Sequence, residues 1–216
     1  MNNGVNIPKK ELFYFGKFKG QPSRAEYLSI LPAASPSGWV GEFTPNYAHM
    51  PGAIGQMSEI VPEARIIFSY RNPIDRAKSA YMHALGAGLI PNQSFESTIL
   101  NARMGSANNW EKSILQLGQY EKLIPRIENY FPSSQLLLLS FDSIISNSGH
   151  QHSILDFLGI DDGVPEKLPK TNTWMKYNFD RPSTALSEST LDFLFEYYEP
   201  TRLFIESRFN RSWDWQ

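Results

Sequence analysis

No cysteine occurs anywhere in the sequence. Disulfide frameworks and thiolate-held metal sites are therefore excluded. The four histidines, His49, His83, His150 and His152, show no zinc-site spacing with carboxylates, so no metal is expected. A basic excess is missing too: 20 Lys and Arg stand against 22 Asp and Glu, for a formal net charge of −2. Domains that bind nucleic acid ordinarily carry a clear positive excess, so nucleic acid is not an expected partner. No apolar run reaches the roughly 18 residues that a membrane span needs. The opening "MNNGVNIPKK" also lacks the apolar core of a signal peptide. The expectation is a cytoplasmic protein without a membrane partner.

What is present is the material of a packed domain. The chain has 216 residues, 41% of them hydrophobic and 13% aromatic, enough to bury a sizeable core. No internal repeat or low-complexity tract interrupts it, and one domain over residues 1–216 is expected. The pattern alternates helix and strand. Helices are expected at Pro22–Leu31, Pro51–Ile60, Pro73–Leu85 and Phe95–Met104. A longer one is expected at Trp110–Tyr130, kinked or broken at Pro125. "HSILDFLGI" (152–160) reads as a helix stopped by Gly159, and two helices, 187–198 and 200–209, close the chain.

"WVGE" (39–42) reads as a short strand. "ARIIFSY" (64–70) and "QLLLLSF" (135–141) have the continuous apolar character of strands buried on both faces. Residues 161–185 read as a long loop. Buried strands alternating with helices imply a parallel sheet flanked by helices, an α/β fold. In such sheets ligands sit beyond the C-terminal strand ends.

That rule singles out "FSYRNPIDRAKSAY" (68–81). Arg71 follows the last residue of a strand, and Pro73 opens a helix capped by Asn72. The helix dipole and its leading N–H groups point back to the Arg71 position. Ser79 lies about 9 Å along that helix, from the rise of 1.5 Å per residue. A guanidinium forks onto two phosphate oxygens and a hydroxyl donates to a third. Arg76 and His83 share a helical face with Ser79. Two readings stay open on physical grounds: an anion socket, or a capped helix with a solvated arginine face.

The residues also carry a resemblance. "RNPIDRAKSAY" (71–81) resembles the 3′-phosphate-binding signature of sulfotransferases that use 3′-phosphoadenosine 5′-phosphosulfate (PAPS). In that signature an Arg ends a strand and a Ser follows on the next helix, here Arg71 and Ser79. "PKKELFYF" (8–15) looks like the segment carrying the general base in the heparan-sulfate and bacterial carbohydrate branch. "VGEFTPNY" (40–47) looks like the next strand and acceptor-side loop, and "LLLLSFDSI" with "ILDFLGI" like the later strand and helix. The resemblance runs from about Val5 to the C-terminus. It implies a P-loop-NTPase-like sulfotransferase fold and a PAPS donor. It also implies transfer of a sulfuryl group to a hydroxyl or amine of a carbohydrate or small-molecule acceptor.

Carried over by position, the resemblance implies Glu11 as general base, a role that suits a carboxylate placed to accept the proton of an attacking hydroxyl. It implies His83 beside the reacting groups. It implies Lys176, in "PKTNTWMKYNFD" (169–180), as the cation that offsets charge on the leaving phosphate. Lys170, Thr171 and Asn172 are implied nucleotide contacts beside Arg71 and Ser79, and Trp174 either stacks on adenine or anchors that loop. Lys9 and Lys10 read as solvated charges, and Trp110 and Tyr120 as core.

Two departures bear on function. The position after Glu42 is often lysine in the heparan branch and is Phe43 here, which argues against a highly anionic acceptor. The family also opens with a strand, a Lys-x-Gly-Thr-Thr phosphate loop and a helix, and no such loop occurs in this sequence. The expectation is an N-terminally incomplete fold, slow or inactive in transfer and prone to self-association along an uncovered sheet edge. The alternative is a non-catalytic or truncated protein of the same fold that at most binds the nucleotide.

Overall fold

The computed structural model describes residues 11–16, 23–31, 33, 38–146, 149–160 and 182–210. In chain order the helices and strands are α1 (Arg24–Ile30), α2 (Ala53–Ile60), β1 (Ile66–Tyr70), α3 (Pro73–Gly86), α4 (Phe95–Met104) and α5 (Asn109–Gln116). They continue with α6 (Tyr120–Glu128), β2 (Leu136–Ser140), α7 (Phe141–Ser146), α8 (Gly149–Leu158) and α9 (Glu188–Phe209). Short 3₁₀ turns at Pro45–Ala48 and Ser133–Gln135 complete the order. β1 and β2 pair in a parallel sheet. The crossover between them carries α3 to α6, as a parallel connection requires.

The helix starts follow from local chemistry. Ser23, Ser94 and Ser187 each cap a helix by accepting a backbone N–H, at the heads of α1, α4 and α9. Asn108 and Glu111 form a reciprocal capping box at the head of α5. Asn72 caps α3 through two backbone N–H groups, with Pro73 in the first turn.

The chain divides into two compact units. One comprises 1–69 and 123–168, the other 70–122 and 169–216. In the first, the Phe15 ring packs against Tyr27 at 4.7 Å and Tyr47 at 5.4 Å between centroids. Leu123, Ile124, Ile127, Phe131, Leu139 and Ile160 are buried there as well. In the second, α3 and α4 pack on α5. Their core joins Ala77, Tyr81, Phe95, Ile99, Ile114 and Leu115 to Leu194 and Tyr198 of α9.

Several expectations are corrected. β1 is not buried on both faces: burial alternates along it, and Ile67 is 42% exposed while Tyr70 is buried. One face of the strand is covered, so its apolar run does not mean two. At 39–42 only Val40 forms a bridge, and the neighbouring residues have no strand ladder.

The long helix expected over 110–130 is two helices broken at 117–119, and Pro125 sits inside the second. Glycine is required at the break: a Cβ on Gly118 would stand 2.8 Å from the Tyr198 ring and 3.0 Å from Pro73. The close of the chain is one helix rather than two. Pro200 lies within α9, and just beyond it Arg202 pairs with both Glu199 and Glu206 on the helix surface. Trp110 is 41% exposed on the first turn of α5 and is not core, whereas Tyr120 is buried as expected. Of the expected loop over 161–185, residues 161–181 lie outside the described residues, and 182–185 carry no helix or strand.

Candidate active site

The end of β1 is held rigidly. Tyr70, its last residue, stacks on Phe209 at 4.9 Å and meets Tyr120 edge-on at 6.1 Å. The buried Tyr120 hydroxyl accepts the Arg71 backbone N–H at 3.2 Å. Arg71 thus leaves the strand from a fixed backbone position. Its side chain is 27% exposed, and its guanidinium stands 4.0 Å from the Asp75 carboxylate one helical turn on. An ion pair that long and partly solvated contributes little to stability.

Ser79 and His83 follow on α3, both half-buried. Arg71, Ser79 and His83 are therefore brought onto one strand-to-helix segment of the second unit. Two parts of the sequence reading change. The Asn72 side chain already accepts the N–H groups of Ile74 and Asp75, at 2.9 and 3.3 Å, and the Arg76 N–H goes to the Asn72 carbonyl. Pro73 has no N–H to give. The head of α3 thus offers an anion its dipole but no unused amide, and side chains must do the holding. Arg76 leaves the shared face as well: its guanidinium donates to the Ile114 carbonyl at the end of α5.

Glu11 lies in the other unit. Its side chain is exposed and its backbone N–H donates to the Phe43 carbonyl at 2.9 Å. The Phe43 side chain is itself exposed. The four late-loop candidates, Lys170, Thr171, Asn172 and Lys176, lie outside the described residues, as do Lys9, Lys10 and Trp174. Among the described residues no group of three or more His, Asp or Glu side chains is arranged to hold a metal ion. No helix among them is long and apolar enough to cross a membrane.

The structure adds a cluster that the sequence reading passed over. The Glu42 carboxylate accepts three hydroxyls: Tyr47 at 2.6 Å and Thr44 at 2.8 Å on one oxygen, Tyr27 at 2.7 Å on the other. Burial, reinforced by the hydrogen bonds to Glu42, pushes both tyrosine hydroxyls well above their ordinary range. They stay protonated donors. The signal for half of it was present as Glu-x-Thr-x-x-Tyr in "EFTPNY", but Tyr27 arrives from α1. A cleft of about 210 Å³ among α4, α5 and α9, walled by Arg103, Lys112, Phe193 and Tyr197, contains none of the expected site residues.

The sulfotransferase family matches residues 19–164, well over half of the chain. The chain belongs to the sulfotransferase family. Its fold is that of a sulfotransferase from Alicyclobacillus acidocaldarius, matched at a TM-score of 0.72 and 20% identity over 99% of this chain and 88% of that one.

Among sequence relatives, this chain is 28% identical over 145 residues to mouse heparan sulfate glucosamine 3-O-sulfotransferase 3B1. It is 29% identical over 147 residues to human heparan sulfate glucosamine 3-O-sulfotransferase 6. Each match covers 66% of this chain but only 37% and 42% of those relatives. A shorter match, 32% over 106 residues, reaches human bifunctional heparan sulfate N-deacetylase/N-sulfotransferase 2, covering 47% of this chain and 12% of that one.

Proposed function

We propose that this chain transfers a sulfuryl group from PAPS to a hydroxyl or amine of a carbohydrate or small-molecule acceptor. The observation that carries the reading is Arg71, backbone-pinned where β1 ends, followed two turns along α3 by Ser79. Family membership and relatives named for sulfation of heparan sulfate glucosamine support the class of reaction.

In this reading PAPS supplies an activated sulfuryl group on a phosphate leaving group. Arg71 takes the 3′-phosphate of the donor as a fork of two charge-assisted bonds, and Ser79 adds a third donor. Because the α3 amides are spent on Asn72, selectivity for a 3′-phosphate rests on these side chains. Glu11 accepts the proton that the acceptor oxygen or nitrogen gives up as its bond to sulfur forms. His83 orients the acceptor. By the resemblance, Lys176 stabilises the charge that grows on the departing 5′-phosphate, and Lys170, Thr171 and Asn172 contact the nucleotide. An exposed Phe43 beside the Glu11 segment favours a neutral or weakly charged acceptor over a dense polyanion.

Calorimetric titration with 3′-phosphoadenosine 5′-phosphate (PAP) and with adenosine 5′-phosphate tests the donor assignment. PAP is expected to bind at least about tenfold more tightly, one charge-assisted hydrogen bond being the least that the 3′-phosphate adds. Equal affinities would rule out a 3′-phosphate site.

A further inference from the structure

The segment that presents Glu11 is bent out of ordinary backbone. Glu11 has φ 62° and Phe13 has φ 49°, in the left-handed region that non-glycine residues keep only where their surroundings hold them. Two side chains besides the Phe43 carbonyl supply that hold, through three backbone N–H groups. The Tyr14 N–H donates to the Tyr47 hydroxyl at 2.7 Å, and the Phe15 N–H reaches the same oxygen at 3.4 Å. The Gly16 N–H donates to Gln56 Oε1 at 2.7 Å.

Tyr47 is the pivot. It is 5% exposed, and its own proton goes to Glu42 Oε1 at 2.6 Å. A hydroxyl has one proton and two lone pairs. With the proton drawn to Glu42, both lone pairs face the two amides. A Tyr47 proton free to rotate would compete with those N–H groups for the same space. The Tyr27 and Thr44 hydroxyls on Glu42 fix the carboxylate in turn.

We propose that Glu42 and Tyr47 are positioning residues for Glu11: the carboxylate orients the Tyr47 hydroxyl, and that hydroxyl pins the amides that keep the 11–13 bend in place. Neither residue touches the reacting atoms. This rests on the reading of Glu11 as general base, and it identifies what converts an exposed glutamate on a strained strap into a base at a fixed point. Misplacing a reacting group by about 1 Å costs on the order of 100-fold in rate.

The test is a double-mutant cycle of Tyr47→Phe and Glu11→Gln in the full chain, read by turnover, PAP affinity and amide hydrogen exchange. Tyr47→Phe is expected to lower kcat by about 10- to 100-fold, leave PAP affinity unchanged and speed exchange at Tyr14 and Phe15. In the Glu11→Gln background it is expected to lower the rate no further, because it acts through Glu11. Glu42→Gln keeps the Tyr47 ring, removes an acceptor and is expected to behave alike, which guards against loss of folding in one variant. Equal losses in both backgrounds, or unchanged exchange at Tyr14 and Phe15, would overturn the positioning role. A normal rate for Glu11→Gln alone would overturn the base assignment as well, so the two failures read differently.

Discussion

Replacing Arg71 by alanine isolates the anion-holding group, because the structure leaves few substitutes for it. At many helix heads a lost arginine would be covered partly by free backbone N–H groups. Here Asn72 has taken those of Ile74 and Asp75, and Pro73 has none. The dipole of α3 remains and contributes about 0.3–1 kcal/mol toward an anion. The Ser79 hydroxyl remains as one neutral donor.

The lost guanidinium is worth about 1.5–3 kcal/mol in charge-assisted hydrogen bonding, and its 27% exposure moves the figure toward the lower end through solvent screening. The expected loss in PAP affinity is therefore about 10- to 100-fold. Adenosine 5′-phosphate, which lacks the 3′-phosphate, is expected to bind as before. Arg71→Lys keeps the charge but loses the fork and is expected to fall between. Calorimetry at one fixed ionic strength reads the unmodified chain and both variants with each nucleotide. A parallel loss for both nucleotides would refute the reasoning, since it would place Arg71 at a part of the ligand that the two share.

Other expectations follow from packing and protonation. Gly118→Ala places a methyl 2.8 Å from the fully buried Tyr198 ring, whose hydroxyl is tied to the Leu115 carbonyl; overpacking of this kind costs about 1–3 kcal/mol. A Tm lowered by several degrees in scanning calorimetry is the expected result, and an unchanged Tm would show that Tyr198 yields freely. Burial raises the hydroxyls of Tyr27, Tyr47 and Tyr198 above their ordinary range. The folded chain thus keeps protons that the unfolded chain gives up above about pH 10, so stability is full below that pH and falls as pH rises beyond it. Denaturant midpoints are expected to fall across that boundary, and a flat profile would contradict the burial of these groups. Phe43→Lys puts a cation beside the Glu11 segment and is expected to raise the rate with anionic sugars relative to neutral ones; an unchanged ratio would remove Phe43 from the acceptor side.

The parts of the fold legible in the sequence are those written in adjacent residues. Asn72 and Pro73 announce the head of α3, the β1 apolar run announces the strand before it, and together they place Arg71 at a strand end. The end of α8 at Gly159, whose φ is +67°, was equally local. What could not be read locally depends on groups that meet only after folding. Position 118 must be glycine because Tyr198 and Pro73 converge on it. Pro200 fails to break a helix because the rest of α9 is held on both sides of it, by the Tyr198 hydroxyl on Leu115 and the Thr201 hydroxyl on Gly118.

The candidate site divides in the same way. The order of Arg71, Ser79 and His83 along one helix is a matter of spacing. The cage around Glu42 draws on residues 27, 44 and 47, and no periodicity links them. Arg76 shows the converse error: helical spacing put it beside Ser79, but the Ile114 carbonyl offered a buried acceptor and took the guanidinium.

The central claim is sulfuryl transfer from PAPS, and one measurement addresses it directly. The full chain is incubated with PAPS labelled with sulfur-35 and a panel of neutral and anionic sugars bearing free hydroxyls and amines. Labelled acceptor and free PAP are then counted together. Label on a sugar with an equal amount of PAP released, and loss of both in Glu11→Gln, is the predicted result. PAP bound tightly with no label on any acceptor would contradict the claim and leave a nucleotide-binding protein of the same fold.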